Sequence, residues 1–74
     1  MTYSFQQLKD SLNQCTSYDL VKSIDDDNDE CYLLIDSFGD QDGDPFYDLD
    51  DVTDFITNND QVDEYLYQLS HGGN

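Results

Sequence analysis

The chain has 74 residues, of which 18 are acidic and two are lysine, with no arginine, for a formal net charge of -16 at pH 7. That charge excludes direct binding to DNA, RNA or an anionic membrane surface, each of which would repel it. Apolar residues make up only 36% of the chain, a composition that leans toward disorder, yet six Tyr and four Phe supply rings that bury about 150 to 250 Å² each, so one folded domain over 1–74 is expected.

The first element is a helix from Phe5 to Gln14. Ser4 and Gln7 have the spacing of a capping box, and Phe5, Leu8, Leu12 and Cys15 recur three and four residues apart as one apolar stripe that packs on a sheet. Tyr18, Leu20, Lys22 and Ile24 alternate with Asp19, Val21 and Ser23, the pattern of a half-buried strand over 18–24. A second strand over 31–38 contains the longest apolar run, Cys31 to Ile35, and the acid run Asp25-Asp26-Asp27-Asn28-Asp29-Glu30 makes the turn of an antiparallel hairpin. Leu33 and Leu34 point to opposite faces of that strand, and the sequence leaves open which faces the core.

Residues 39–45 hold two glycines and the single proline and form a loop, after which Phe46-Tyr47 is a candidate third strand. Asp48 is placed to cap a helix over Leu49 to Thr57 that buries Val52, Phe55 and Ile56, with Tyr47 and Val52 in the positions of a hydrophobic staple. Asn58-Asn59 interrupts it, and Asp60 is placed to cap a last helix over Gln61 to Leu69 with Val62, Tyr65, Leu66 and Leu69 inward; Gly72 ends it and 70–74 form a flexible tail. The fold class is therefore α+β: an N-terminal helix, an antiparallel hairpin or three-stranded sheet, and two short C-terminal helices.

Cys15 and Cys31 do not make a disulfide framework, no charged-then-apolar leader precedes Tyr3, and the apolar run is far short of the roughly 20 residues of a spanning helix. A cytoplasmic protein with reduced thiols and no membrane segment is expected. Catalytic residues are not expected either: the single histidine, His71, lies in a Gly-rich tail with no nucleophile motif, and the Cys and His spacings do not match a zinc site. Asp25, Asp27 and Asp29 match the first three ligand positions of a calcium loop, but Glu30 stands where a tight turn requires Gly and Asp36 where a bidentate Glu is usual. No dedicated metal site and no cofactor are expected.

What remains is the charge pattern. Acids fall into three patches: Asp25, Asp26, Asp27, Asp29 and Glu30 at the hairpin tip; Asp40, Asp42 and Asp44 in the loop; and a helical set in which Asp51, Asp54, Asp63 and Glu64 are not fully explained by capping. Acids one turn apart on a helix repel and need a reason. Tyr67, off the apolar stripe of its helix, is a candidate exposed anchor for a partner. Carboxylates spaced in this way can occupy a groove that receives phosphates, which makes a basic nucleic-acid-binding protein the expected partner.

In size, acidity and Asp-rich α+β layout the chain resembles the small DNA-mimic inhibitors made by bacteriophages, including anti-CRISPR and anti-restriction proteins. The resemblance is one of overall character, with no shared motif, so it carries over no site residue. It implies a non-enzymatic inhibitor that blocks a bacterial nuclease, such as a CRISPR effector or restriction enzyme, in the host cytoplasm. Alternatives are a calcium- or cation-stabilised module, an acidic adaptor for a basic protein, and a halophilic surface. The sequence accommodates a monomer or a homodimer, with self-repulsion opposing the second.

Overall fold

A computed structural model describes residues 3–71. Its elements in chain order are α1 (Phe5–Cys15), β1 (Asp19–Ile24), β2 (Glu30–Ile35), α2 (Leu49–Ile56) and α3 (Asp60–Ser70), an α+β arrangement. The Ser4 hydroxyl accepts from the Gln7 amide and the Gln7 side chain accepts from the Ser4 amide, so the capping box forms as expected. At the other end Thr16 caps α1, its amide and hydroxyl both donating to the Leu12 carbonyl.

β1 and β2 pair antiparallel with Leu20 opposite Leu34 and Val21 opposite Leu33. This settles the open question about β2. Leu34 joins Leu20 in the core while Leu33 is half-buried on the other face. α1 lies on β1 and contacts both C-terminal helices. Leu8, Leu12, Leu20, Leu34, Val52, Ile56, Val62 and Leu66 form one continuous core. The core is made of aliphatic side chains from every element, and the aromatic rings pack around its margin, Phe5 against Tyr32 and Phe46 against Phe55.

Several boundaries differ from the sequence expectation. β2 ends at Ile35 rather than continuing to 38, because the Asp36 carboxylate accepts the amides of Phe38 and Asp40 and turns the chain. The third strand is reduced to two bridge pairs on the far side of β2, Ile35 with Gln41 and Tyr32 with Phe46, with the Gly43 turn bulging between them. Asn59, not Asp60, caps α3: its side-chain oxygen accepts from the Gln61 and Val62 amides, which leaves Asp60 in the first turn, where the helix dipole favours it. Phe55 and Leu69 are exposed rather than inward, and the Tyr47 ring is also exposed, with its hydroxyl engaged elsewhere. Ser70 is the last residue of α3 and His71 its cap, stacked on Tyr67; the rest of the expected tail, with Gly72, lies outside the described residues.

Candidate nucleic-acid-mimic surface

The hairpin tip is rigidly organised by its own acids. Asp25 donates its amide to the Asp29 carbonyl, Asn28 donates to the Asp25 carbonyl, and one Asp25 carboxylate oxygen accepts the amides of Asp27 and Asp29 at 2.9 Å each. Asn28 takes the left-handed conformation, φ 66°, that closes such a turn and that Asn tolerates better than most residues. The other Asp25 oxygen accepts from the Tyr47 hydroxyl at 3.0 Å. These donors, the Asp29 amide foremost, hold the Asp25 carboxyl below its ordinary pKa, and the same carboxylate pushes Tyr47 up.

Asp25 is therefore a structural acid that aims its neighbours outward. Asp26, Asp27, Asp29 and Glu30 are all exposed. Asp25, Asp27 and Asp29 bring one oxygen each within 4.8 Å of one another. Both Asp25 oxygens are already acceptors within the protein, so a cation there would compete with the bonds that shape the turn.

A second turn repeats this geometry at the opposite end of β2. Asp36 donates its amide to the Asp40 carbonyl, Gly39 donates to the Asp36 carbonyl, and Gly39 has φ 86° where the first turn has Asn28. The shared signal is readable as Asp25-x-x-Asn28-Asp29 and Asp36-x-x-Gly39-Asp40, an internal repeat in which Asn or Gly supplies positive φ. The first tip presents Asp26 and Asp27, whereas the second presents Ser37 and Phe38, the latter 87% exposed. The sequence reading treats both Phe38 and Asp36 as strand and weighs Asp36 only as a calcium-loop position.

The structure links the hairpin tip to the start of the helical set and spreads the loop patch along the segment that pairs with β2. Through Tyr47 the tip is tethered to the start of α2, where Asp48 caps the helix by accepting the Asp50 amide and where Asp51 is exposed. Asp40, at the other turn, is a strand length away, about 20 Å for a six-residue strand. Asp42 and Asp44 lie on the segment that returns from there; Asp40, Asp42 and Asp44 are exposed. Asp54 of α2, and Asp63, Glu64 and Tyr67 of α3, are exposed on the helical side.

Neither lysine answers this charge from outside. Lys9 donates to the Asp19 carboxylate at 2.7 Å and to the Leu20 carbonyl at 3.0 Å, fastening α1 to β1, and this hydrogen bond holds Asp19 below its ordinary pKa. Lys22 lies 5.8 Å from the Phe5 ring centre. The described chain measures 43 × 26 × 17 Å. No described helix is long and apolar enough to cross a membrane. Comparison with protein families, curated sequences and solved structures finds no match to this chain.

Proposed function

We propose that this protein is a non-enzymatic, acidic inhibitor that occupies the nucleic-acid groove of a basic host protein, such as a nuclease, and so keeps nucleic acid out. The observation that carries the reading is linear charge density. Its net charge of -16 along a 43 Å long axis amounts to about one charge per 2.7 Å, between the roughly 1.7 Å of duplex DNA and 3.4 Å of one strand. That figure already counts both lysines, of which Lys9 is paired with Asp19. The groove-facing residues are the exposed members of the three patches, with Tyr67 as an apolar contact.

The experiment is affinity capture by the immobilised protein from nuclease-treated bacterial lysate, followed by a salt gradient. Nuclease treatment matters because it empties basic grooves. The expected result is one nucleic-acid-binding protein that elutes late and that duplex DNA or RNA displaces. A diffuse set of basic proteins leaving at low salt refutes the proposal, and a single partner that still binds DNA while captured favours an adaptor instead.

A further inference from the structure

β2 is paired along both of its edges and β1 along only one. In an antiparallel ladder, residues alternate between those bonded to the partner strand and those whose N–H and C=O point away from it. Tyr32 exchanges both of its bonds with Phe46, and Leu34 accepts from the Asp42 amide, so these two residues point away from β1. Their partners across the ladder, Lys22 and Leu20, therefore point away from β2, as does Ile24 two residues on. Leu20 is already served: its carbonyl accepts from Lys9 and its amide donates to the Asp19 carboxylate. Among the described residues, the outward amides and carbonyls of Lys22 and Ile24 have no hydrogen-bond partner. A lysine often blunts such an edge, but the Lys22 ammonium is drawn toward α1, 5.8 Å from the Phe5 ring centre. Ile24 is 62% exposed, and Lys22, Ser23, Ile24 and Glu30 line a shallow depression of about 190 Å³.

We infer that this edge receives an extended, basic segment of the partner, which adds to β1 as a further strand. The inference rests on the proposed function for the existence of a basic partner and names the backbone form through which that partner is held. Two donors and two acceptors in line at strand spacing select an extended chain; a helix pairs its own amides and carbonyls internally and offers none along its length. The surrounding charge selects the sign. Glu30 lies directly across the ladder from Ile24, and the exposed Asp26, Asp27 and Asp29 continue from the end of the edge. Lysines or arginines flanking the docked residues therefore meet carboxylates within a few residues of the main-chain bonds. A second copy of this chain would satisfy the same groups but would bring a further charge of -16 to the contact.

The test combines amide hydrogen exchange with NMR titration of the isotope-labelled protein at physiological salt. Three capped peptides are used: Lys-Val-Lys-Val-Lys, the same peptide N-methylated at every residue, and Glu-Val-Glu-Val-Glu. In the free protein the Lys22 and Ile24 amides should exchange rapidly while those of Val21 and Ser23, bonded to β2, are protected. The lysine peptide should protect Lys22 and Ile24 and give saturable shifts centred on residues 21–25. N-methylation keeps the charge and removes the donors, and should weaken binding about tenfold or more; the glutamate peptide should not bind.

Slow exchange of Lys22 and Ile24 in the dilute free protein, equal binding of either control peptide, or shifts confined to the acidic turn overturns the inference. Protection that appears without peptide and rises with protein concentration overturns it in favour of a second copy. Failure at the edge with a DNA-displaced partner still captured leaves the proposed function standing. A peptide held at the edge with no such partner captured overturns the function and leaves the edge as a site for basic strands.

Discussion

Raising the salt concentration should stabilise this fold by an amount comparable to its whole stability. The radius of gyration of 12.3 Å corresponds to a sphere of about 16 Å radius, whereas an unfolded chain of 74 residues corresponds to a sphere of about 34 Å. Debye lengths are about 30 Å at 10 mM salt and about 8 Å at 150 mM. With Coulomb's law in water, a charge of -16 then favours the unfolded state by about 14 kcal/mol at the lower concentration and about 8 kcal/mol at the higher. The gain of about 6 kcal/mol compares with about 4 to 11 kcal/mol for the total stability of a domain this size.

The assay is thermal melting by circular dichroism at those two concentrations, in sodium chloride and in choline chloride. At about 4 to 8 °C per kcal/mol, Tm should rise by about 25 °C or more, equally in both salts because the effect is screening. A Tm that stays level or falls refutes the reasoning. A much larger rise in calcium chloride at matched ionic strength transfers the argument to a bound cation.

The pH dependence has two arms. Asp19 and Asp25 have folded pKa values below the ordinary 3.8, so the stability they contribute is complete above the unfolded pKa and is lost as pH falls through the folded values. Net charge meanwhile approaches zero near the sequence pI of about 4.1. In low salt Tm should therefore rise from pH 7 to about pH 4.5 and drop below about pH 3.5; a steady fall from pH 7 contradicts this. Leu66→Ala empties a site only 1% exposed and should cost about 2 to 5 kcal/mol, leaving a chain that denaturant titration finds folded at moderate salt and largely unfolded at low salt. At the hairpin tip, Asn28→Val should cost about 1 to 2 kcal/mol for its left-handed backbone while Asn28→Gly should not, as chemical denaturation will show.

Element type was legible wherever a local signal and the burial pattern agreed. Ser4 with Gln7 fixed the start of α1, and Leu8 with Leu12 fixed its inner face. Turn chemistry was harder to read. The run from Asp36 to Phe38 continues a strand-like composition, and only the later Gly39, paired with a carboxylate that can accept two amides, reveals that the chain reverses there. Helical periodicity assigns Phe55 a direction without knowing how far the neighbouring elements extend; its ring packs on Phe46 at the margin of the core and stays half-exposed. Among the site residues, the acids were legible as acids but their division of labour was not. Asp25 looks identical to Asp26 in sequence, and only the turn geometry makes one an internal acceptor and the other a solvated charge.

That division determines how charge, stability and binding are coupled. Asp25 and Asp36 satisfy turn amides, Asp48 caps a helix and Asp19 holds Lys9, so neutralising any of them removes a bond as well as a charge. Asp26, Asp27 and Glu30 are exposed and add to the field without shaping the turn in this way. Replacing those three with Asn, Asn and Gln lowers the net charge from -16 to -13, and because self-repulsion scales with the square of charge, it removes about a third of it. The triple variant should therefore melt higher than the parent at low salt and bind a basic partner more weakly with a shallower salt dependence. Asp25→Ala should instead melt lower. If the triple variant is destabilised, the exposed acids contribute to the fold. If it is stabilised and keeps full affinity, the hairpin tip is not part of the interface, and the contact lies on the helical side with Tyr67.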